Sequence, residues 1–270
     1  IISPPFASLS FFAATSHHAQ ASVSLYQAAV KADGNALHLW SFDGADATAR
    51  QNDGVGTNDL TPTSYGTVGT PVAPTFGGGY DTSSSAVTIT RSGSSGSAFL
   101  TSSSITLPST VSYEAIVRSD GIGSGSAGYM FAAINGGNRN YFTILNDTGK
   151  QFVTASGNSF NNQSTLVSNP GTTDWYYIAV TLSYNGSSQT TVNAWSANLT
   201  AGTPLVQTAT NEVKNGSFIS ATQYGVGALS NSGSLQESFP GEIDEIALYS
   251  GIKTQAFFEA NRALIVPEPS

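Results

Sequence analysis

Alternation is the strongest constraint on this chain. Val111, Tyr113, Ala115 and Val117 take every second position of one run, with Ser112, Glu114 and Ile116 between them. A strand points successive side chains to opposite faces, so each set lines one face. Tyr176, Ile178, Val180 and Leu182 oppose Tyr177, Ala179, Thr181 and Ser183 in the same way, and the first of these sets is the expected core face. Asp120-Gly121, Asn135-Gly136-Gly137-Asn138, Asn146-Asp147-Thr148-Gly149, Asn185-Gly186 and Asn215-Gly216 separate such runs and supply the positive φ of tight hairpins. A meander of hairpins follows, and with it an all-β sandwich. Two short helices are expected at the sandwich edge. Ser24 would cap one ending at Gly34, with Leu25, Ala28, Ala29 and Ala32 inward, and Thr254 another through Ala263, burying Phe257, Phe258 and Leu264. No repeat of 20 to 50 residues is present, which argues against a solenoid or propeller.

Composition narrows the function. The 270 residues suffice for one all-β domain with a sizeable core. Charged residues make up 10% of them, against about 25% in an average soluble domain, so Ser, Thr, Asn and Gly carry solubility. A net charge of −8 gives no counterion-release footprint, and nucleic acid is not an expected partner. Cysteine is absent, which excludes disulfide frameworks, zinc fingers, iron–sulfur clusters and thiol nucleophiles. Such a chain suits a bacterial surface or secreted protein better than a cytosolic enzyme.

Leu37-His38-Leu39-Trp40-Ser41-Phe42-Asp43-Gly44 and Gly241-Glu242-Ile243-Asp244-Glu245-Ile246-Ala247-Leu248-Tyr249 resemble the first and last strands of laminin-G-like, concanavalin-A-like jelly rolls. Asp46 to Gly54 sits where bacterial members carry an Asp, a Ser-Gly-Asn-Gly turn and Asn-Asp-Gly, here without the turn glycines. Val111 to Val117 is similar to the family's first central strand, and Asp174 to Thr181 to its Trp-led strand, with Tyr176 and Tyr177 where histidines are common. The resemblance covers roughly residues 35 to 262. It implies a jelly-roll sandwich of two antiparallel sheets with one or two short helices. The chain then divides into an N-terminal arm (1–23), the jelly-roll domain (24–264) and a tail (265–270).

Both ends carry signals of their own. Residues 1 to 21 are apolar and finish in Ala-Gln-Ala, like the small-residue site of a secretory signal, although no basic n-region precedes them. The competing and preferred reading is a retained arm, in which Ala7, Leu9, Phe11 and Ala13 line one face of an extended strand that pairs with a sheet edge. The tail Val266-Pro267-Glu268-Pro269-Ser270 resembles the PEP-CTERM sorting motif of Gram-negative bacteria, without the membrane helix and basic cluster that follow it in that family. No segment reaches the ~18 to 20 apolar residues of a membrane span.

The serious catalytic candidate is a laminarinase-type glycoside hydrolase, which shares the jelly roll and carries Glu-Ile-Asp-Ile-Glu on one strand. Period-two spacing sets its two catalytic carboxylates on one face, near the ~5 to 5.5 Å that retaining hydrolysis needs. Here Glu242 and Asp244 are followed by Ile246, so the acid/base position is empty, and strict alternation turns Glu245 to the opposite face. No catalytic residue is assigned.

Other chemistry is sparse. His17, His18 and His38 have no metal-ligand spacing, Ser has no nucleophile elbow, and Phe76-Gly77-Gly78-Gly79-Tyr80 lacks the Lys and helix of a phosphate loop and is expected to be a turn. A structural Ca²⁺ is the best chemical hypothesis, since the resembled family often holds one where first and last strands meet. Asp43, Asp46 and Asp244 are its candidate ligands, with turn hydrogen bonds as the alternative for the first two and a solvated or capped carboxylate for Asp244. Asp53 is a fourth candidate, for which a turn role in Asn52-Asp53-Gly54 is the preferred reading. Tyr65, Tyr80, Tyr129, Tyr141, Trp175, Trp195 and Tyr224 offer flat faces for sugar rings, although most are expected in the core. The expected function is a non-catalytic surface protein whose arm links copies into a filament, with surface polysaccharide as a further partner. The alternative is a monomeric glycan-binding adhesion module.

Overall fold

The structure, a computed structural model, describes residues 21–46, 48–65, 74–92, 95–120, 128–135, 138–146, 151–156, 163–218, 220–221, 223–231 and 234–266. The arm residues Ala7, Leu9, Phe11 and Ala13 and the tail residues Pro267, Glu268, Pro269 and Ser270 lie outside them.

Two sheets stack face to face. In the first, the neighbours run Val206–Asn215, Gln189–Asn198, Trp175–Tyr184, Thr110–Ser119, Gly241–Ser250, Ser85–Ile89 and Thr75–Gly78, with Ala36–Trp40 also paired to Gly241–Ser250. In the second they run Gln163–Ser168, Gln151–Ser156, Asn138–Asn146, Gly128–Asn135, Gly225–Val226, Ser95–Thr101 and Leu60–Tyr65. These neighbours are all antiparallel, whereas the short strand Leu229–Asn231 lies parallel to Gly128–Asn135. The architecture is the expected jelly-roll sandwich. Its centre is the layer between the sheets, where Val111, Tyr113, Ala115, Val117, Tyr176, Ile178, Val180 and Leu182 meet Phe99, Met130, Phe131 and Val226. The expected core face Tyr176, Ile178, Val180 and Leu182 is the inward one, and of the two faces of Thr110–Ser119 it is Val111, Tyr113, Ala115 and Val117 that turn inward.

Two helices cover the outer face of the first sheet rather than its edge. Helix α1 (Val23–Ala32) buries Val23, Tyr26, Gln27 and Val30, and helix α2 (Gln255–Ile265) buries Phe258, Asn261, Arg262 and Ile265. Together with Ile116, Tyr177, Ala179, Trp195, Ala247 and Tyr249 they form a second core. Thr254 caps α2 as expected, its hydroxyl accepting from the Phe257 N–H at 3.2 Å. For α1 the cap is Ser22, not Ser24, and the inward stripe is offset from the expected one: Leu25, Ala28 and Ala32 are exposed. The stripe Val23, Tyr26, Gln27, Val30 has the i, i+3, i+4, i+7 spacing of a helix face laid on a sheet. The Ser22 N–H donates to the Leu264 carbonyl at 2.7 Å and ties the start of α1 to the end of α2.

The closing strand Gly241–Ser250 departs from strict alternation. Ile243 pairs with Val117 but Glu245 pairs with Ile116, a β-bulge centred on Asp244. The extra residue resets the phase. Ile243, Ile246 and Leu248 all enter the inter-sheet core, while Glu245, Ala247 and Tyr249 follow Glu242 onto the helix-covered face. The expectation that Glu245 lies opposite the other acidic side chains is thereby overturned.

Candidate functional site

The helix-covered face holds an unusual density of buried carboxylates. Glu114, Asp244 and Glu245 are each fully buried there, and Asp43 and Asp81 stand half-buried at its margin. Glu114 projects between Ala179 and Ala247, its neighbours on the adjacent strands, whose small side chains leave it room. It accepts from the hydroxyls of Tyr177 and of Tyr249, the latter at 2.5 Å, and from the Asn261 amide at 2.8 Å. Burial pushes its carboxyl above the ordinary range against the pull of these donors. One side chain thus joins two strands to α2.

The bulge turns Asp244 toward the loop that carries Tyr80 and Ser84, and Glu245 toward Gln27 of α1. Asp244 Oδ2 accepts from the Tyr80 N–H at 2.6 Å and the Ser84 hydroxyl at 2.9 Å, and Glu245 Oε1 accepts from the Gln27 amide at 2.5 Å. The same Gln27 amide donates to Asp43, whose other oxygen accepts from the Ser85 N–H. Asp81 holds the start of α1: its Oδ2 accepts from the Val23 N–H at 2.7 Å, where a helix leaves its donors unpaired and favours negative charge. Asp244 Oδ1 and Glu245 Oε2 have no hydrogen-bond partner. Burial, with Asp43 and Asp81 nearby, pushes Asp244 up to about 8. Burial, then Asp244 and Asp43, pushes Glu245 well above the carboxylate range.

Glycine makes this arrangement possible. A Cβ on Gly79 would stand 2.6 Å from Asp244 Oδ2 and 2.3 Å from the Ser84 hydroxyl. The glycine run expected as a turn is instead the edge strand Thr75–Gly78 followed by a residue that must lack a side chain for Asp244 to reach Ser84 and Tyr80.

Of the expected calcium ligands, Asp43 and Asp244 share this neighbourhood. Asp46 does not: it is exposed and its Oδ1 accepts from the N–H groups of Thr48 and Ala49, each at 2.9 Å, in the turn that leads into the 3₁₀ segment Ala49–Gln51. Among the described residues no three Asp, Glu or His side chains are grouped as a metal-binding set. Glu245 and Asp81 were missed by the sequence reading; the signal for Glu245 was the spacing of Ile243 and Ile246, three apart, which breaks period two.

Asp53 is a turn organiser. It is buried and accepts from the Leu39, Val55, Gly56 and Asn58 N–H groups and lies 2.5 Å from His38 Nδ1. Burial raises its carboxyl, but His38 and the Gly56 and Leu39 N–H groups hold it below the ordinary value. His38 is itself stacked on Trp40, with ring centroids 5.3 Å apart. Glu242 pairs with Arg118 at 2.6 Å, and the Arg118 guanidinium lies over the Trp175 ring. Tyr129, Trp175, Trp195 and Tyr224 are buried; Tyr80 is half-buried and its hydroxyl donates to the Leu199 carbonyl at 3.2 Å. The side chains of Tyr65 and Tyr141 lie outside the described residues.

No protein-family model matches the chain, and no curated protein does. Solved structures do. It is similar to domain 4 of AbnA, a GH43 extracellular arabinanase from Geobacillus stearothermophilus in complex with arabinotriose, at 17% identity over 84% of this chain and 99% of that one, with a TM-score of 0.50. It is similar at 11% identity to a mutant of Trypanosoma rangeli sialidase displaying trans-sialidase activity, over 86% of this chain and 34% of that one, with a TM-score of 0.49. The first likeness carries the fold, a jelly-roll β-sandwich. Among the described residues, no helix is long and apolar enough to cross a membrane.

Proposed function

We propose that this is a non-catalytic structural or adhesive domain of an exported bacterial surface protein, whose N-terminal segment links copies into a filament or matrix. The observation that carries the non-catalytic part is the fate of the closing strand's acidic residues. Glu242 is engaged by Arg118, Asp244 is buried against Tyr80 and Ser84, Glu245 is buried against Gln27 of α1, and position 246 is an isoleucine in the inter-sheet core. Retaining hydrolysis needs two carboxyl groups that reach one glycosidic bond. A pair buried in this way meets no polysaccharide. The resemblance of Val266-Pro267-Glu268-Pro269-Ser270 to a sorting motif supports export.

The test has two arms. Incubation with β-glucans should release no reducing ends, and Glu242→Gln should leave that result unchanged; turnover abolished by the substitution would restore the hydrolase reading. Deletion of residues 1 to 21 should leave a folded monomer, and unchanged assembly in sedimentation would reject the linking role.

A structural calcium belongs to the same reading. Asp244 Oδ1 and Glu245 Oε2 are hard, buried, unpartnered oxygens of the type Ca²⁺ takes and support the ion, whereas Asp43 accepts from Gln27 and Ser85 and Asp46 from its own turn. An ion that binds only the folded state raises its melting temperature by mass action. Millimolar Ca²⁺ should do so, and a melting temperature indifferent to Ca²⁺ and to chelator would remove the ion. Glycan binding is the runner-up. It draws on the arabinanase domain bound to arabinotriose, but here the candidate stacking residues Tyr129, Trp175, Trp195 and Tyr224 are buried and Tyr80 is tethered.

A further inference from the structure

The geometry points to one acceptor for the linking segment: the first half of the edge strand Val206–Asn215, residues Val206 to Thr210, on a second copy of the chain. This rests on the linking role proposed above and adds the surface that receives it. The described edges of the two sheets are unequal. Thr75–Gly78 has four residues and ends in glycines, Leu60–Tyr65 contains Pro62, and Gln163–Ser168 has six residues, with the Ser164 hydroxyl donating to Glu212 and the Leu166 carbonyl accepting from Ser196. Val206–Asn215 has ten, no proline, and a terminal place in its sheet. A terminal strand leaves a row of backbone donors and acceptors free to pair with another chain.

The register with Gln189–Asn198 shifts twice, at Asn211, whose φ is 49°, and again between Ala209 and Gln207. Charge guards only the second half of the strand, where Glu212 and Lys214 form an ion pair of 2.7 Å. A bulge and charges are the usual protections of an edge. Val206, Gln207, Thr208, Ala209 and Thr210 carry neither charge nor proline, and Val206 is 55% exposed. Residues 1 to 20 likewise contain no Asp, Glu, Lys or Arg, with Ala7, Leu9, Phe11 and Ala13 on alternate positions. An uncharged alternating segment suits an uncharged edge.

The point at which that segment joins the domain sets the assembly. It enters at Ser22, whose N–H is held by Leu264, and the next N–H, of Val23, is held by Asp81 in the loop between Thr75–Gly78 and Ser85–Ile89. This is one side of the first sheet, and Val206–Asn215 is the other, five strand spacings from Ser85–Ile89, or about 24 Å. Donor and acceptor on opposite sides make a heterologous, head-to-tail contact, which propagates as an open fibre unless its rotation closes a ring.

Complementation in the full-length chain tests this. A donor-dead variant carries Leu9→Asp with Phe11→Asp; an acceptor-dead variant carries Val206→Lys with Thr208→Lys, both exposed positions whose melting should match the wild type. Each alone should sediment as a monomer at concentrations at least tenfold above those at which the wild type assembles, and an equimolar mixture should stop at one-to-one dimers. Assembly of the acceptor-dead variant at wild-type concentration, with the donor-dead variant monomeric, would overturn this acceptor and leave the linking role standing. Two monomeric variants that form no dimer when mixed would overturn it as well. A donor-dead variant that assembles like the wild type, or a wild type that does not assemble, would bring down the linking role and this inference with it.

Discussion

The two faces of the strand Thr110–Ser119 are buried alike and built from different chemistry. Toward the second sheet it presents Val111, Tyr113, Ala115 and Val117 to an apolar layer, and toward the helices it presents Ser112, Glu114 and Ile116. The first face gains from non-directional removal of apolar area and close packing. The second depends on hydrogen bonds that meet buried charge or buried protons, an arrangement that is stabilising only when every group is satisfied. The inner face should tolerate changes of pH and fail on loss of volume; the outer face should do the reverse.

Loss of volume gives the largest effect. Phe131 stacks on Tyr224 with ring centroids 4.6 Å apart and also meets Trp40. Phe131→Ala should cost ~3–5 kcal/mol in denaturant unfolding, with little dependence on pH. A loss below ~1 kcal/mol would mean that the inter-sheet layer is not the principal core.

Next in size is the pH dependence of the outer face. The Asp244 carboxyl is raised from 3.8 to about 8 in the folded state, so between those values the native protein holds a proton that the unfolded chain has released. Stability is then full below about pH 4 and declines as pH rises through about 8, by up to ~1.4 kcal/mol per pH unit for one such group. Glu245 acts in the same direction. Asp244→Asn should flatten the decline over that window in urea titrations at successive pH values. Calcium sharpens the comparison, because a bound cation needs the deprotonated form, and its stabilising effect should grow as pH rises. A profile that climbs from pH 4 to 8 in chelator would refute the protonated reading of this pair.

Glu114 comes third. Glu114→Gln keeps the volume but replaces one acceptor oxygen by a donor, so one of Tyr177, Tyr249 and Asn261 loses its acceptor. The cost should be ~1–3 kcal/mol, the range for a buried group left unpaired. Equal stability of the variant and the wild type at pH 7 would show that Glu114 already carries a proton there.

The inner face was legible because apolar residues at period two admit one reading when both faces are solid. The outer face was not, for three separate reasons. Alternation marked Glu114 as the other face but carries no information on whether a helix covers that face. The bulge at Asp244 moved Glu245 across the strand, and its trace, Ile243 and Ile246 three apart, was outweighed by the assumption of strict alternation. In α1 the expected inward stripe Leu25, Ala28, Ala29 and Ala32 rests mostly on alanine, a helix former that water tolerates, while Val23, Tyr26 and Val30 hold larger apolar groups. The resemblance of the chain's two end motifs to jelly rolls located the meeting of first and last strands, and Asp43 and Asp244 with it. It could not supply Asp81, which lies in a loop far from both motifs and serves the first turn of α1.

The smallest predicted effect tests that assignment of the helix face. Leu25 is 40% exposed, whereas Val30 is fully buried against the outer face of the sheet. Leu25→Ser removes apolar area that largely stays in water in the native state, and it lies clear of the buried stripe. It should change stability by no more than ~0.5 kcal/mol, as surface substitutions generally do. Val30→Ala deletes two methyl groups from a closed layer and should cost ~1.5 kcal/mol. The ratio matters more than either value, because helix propensity alone favours Val30→Ala and opposes Leu25→Ser, so only burial makes Val30→Ala the costlier. If Leu25→Ser were the costlier, α1 would sit with its Leu25 side down, Gln27 would be carried away from Asp43 and Glu245, and the carboxylates beneath it would face water.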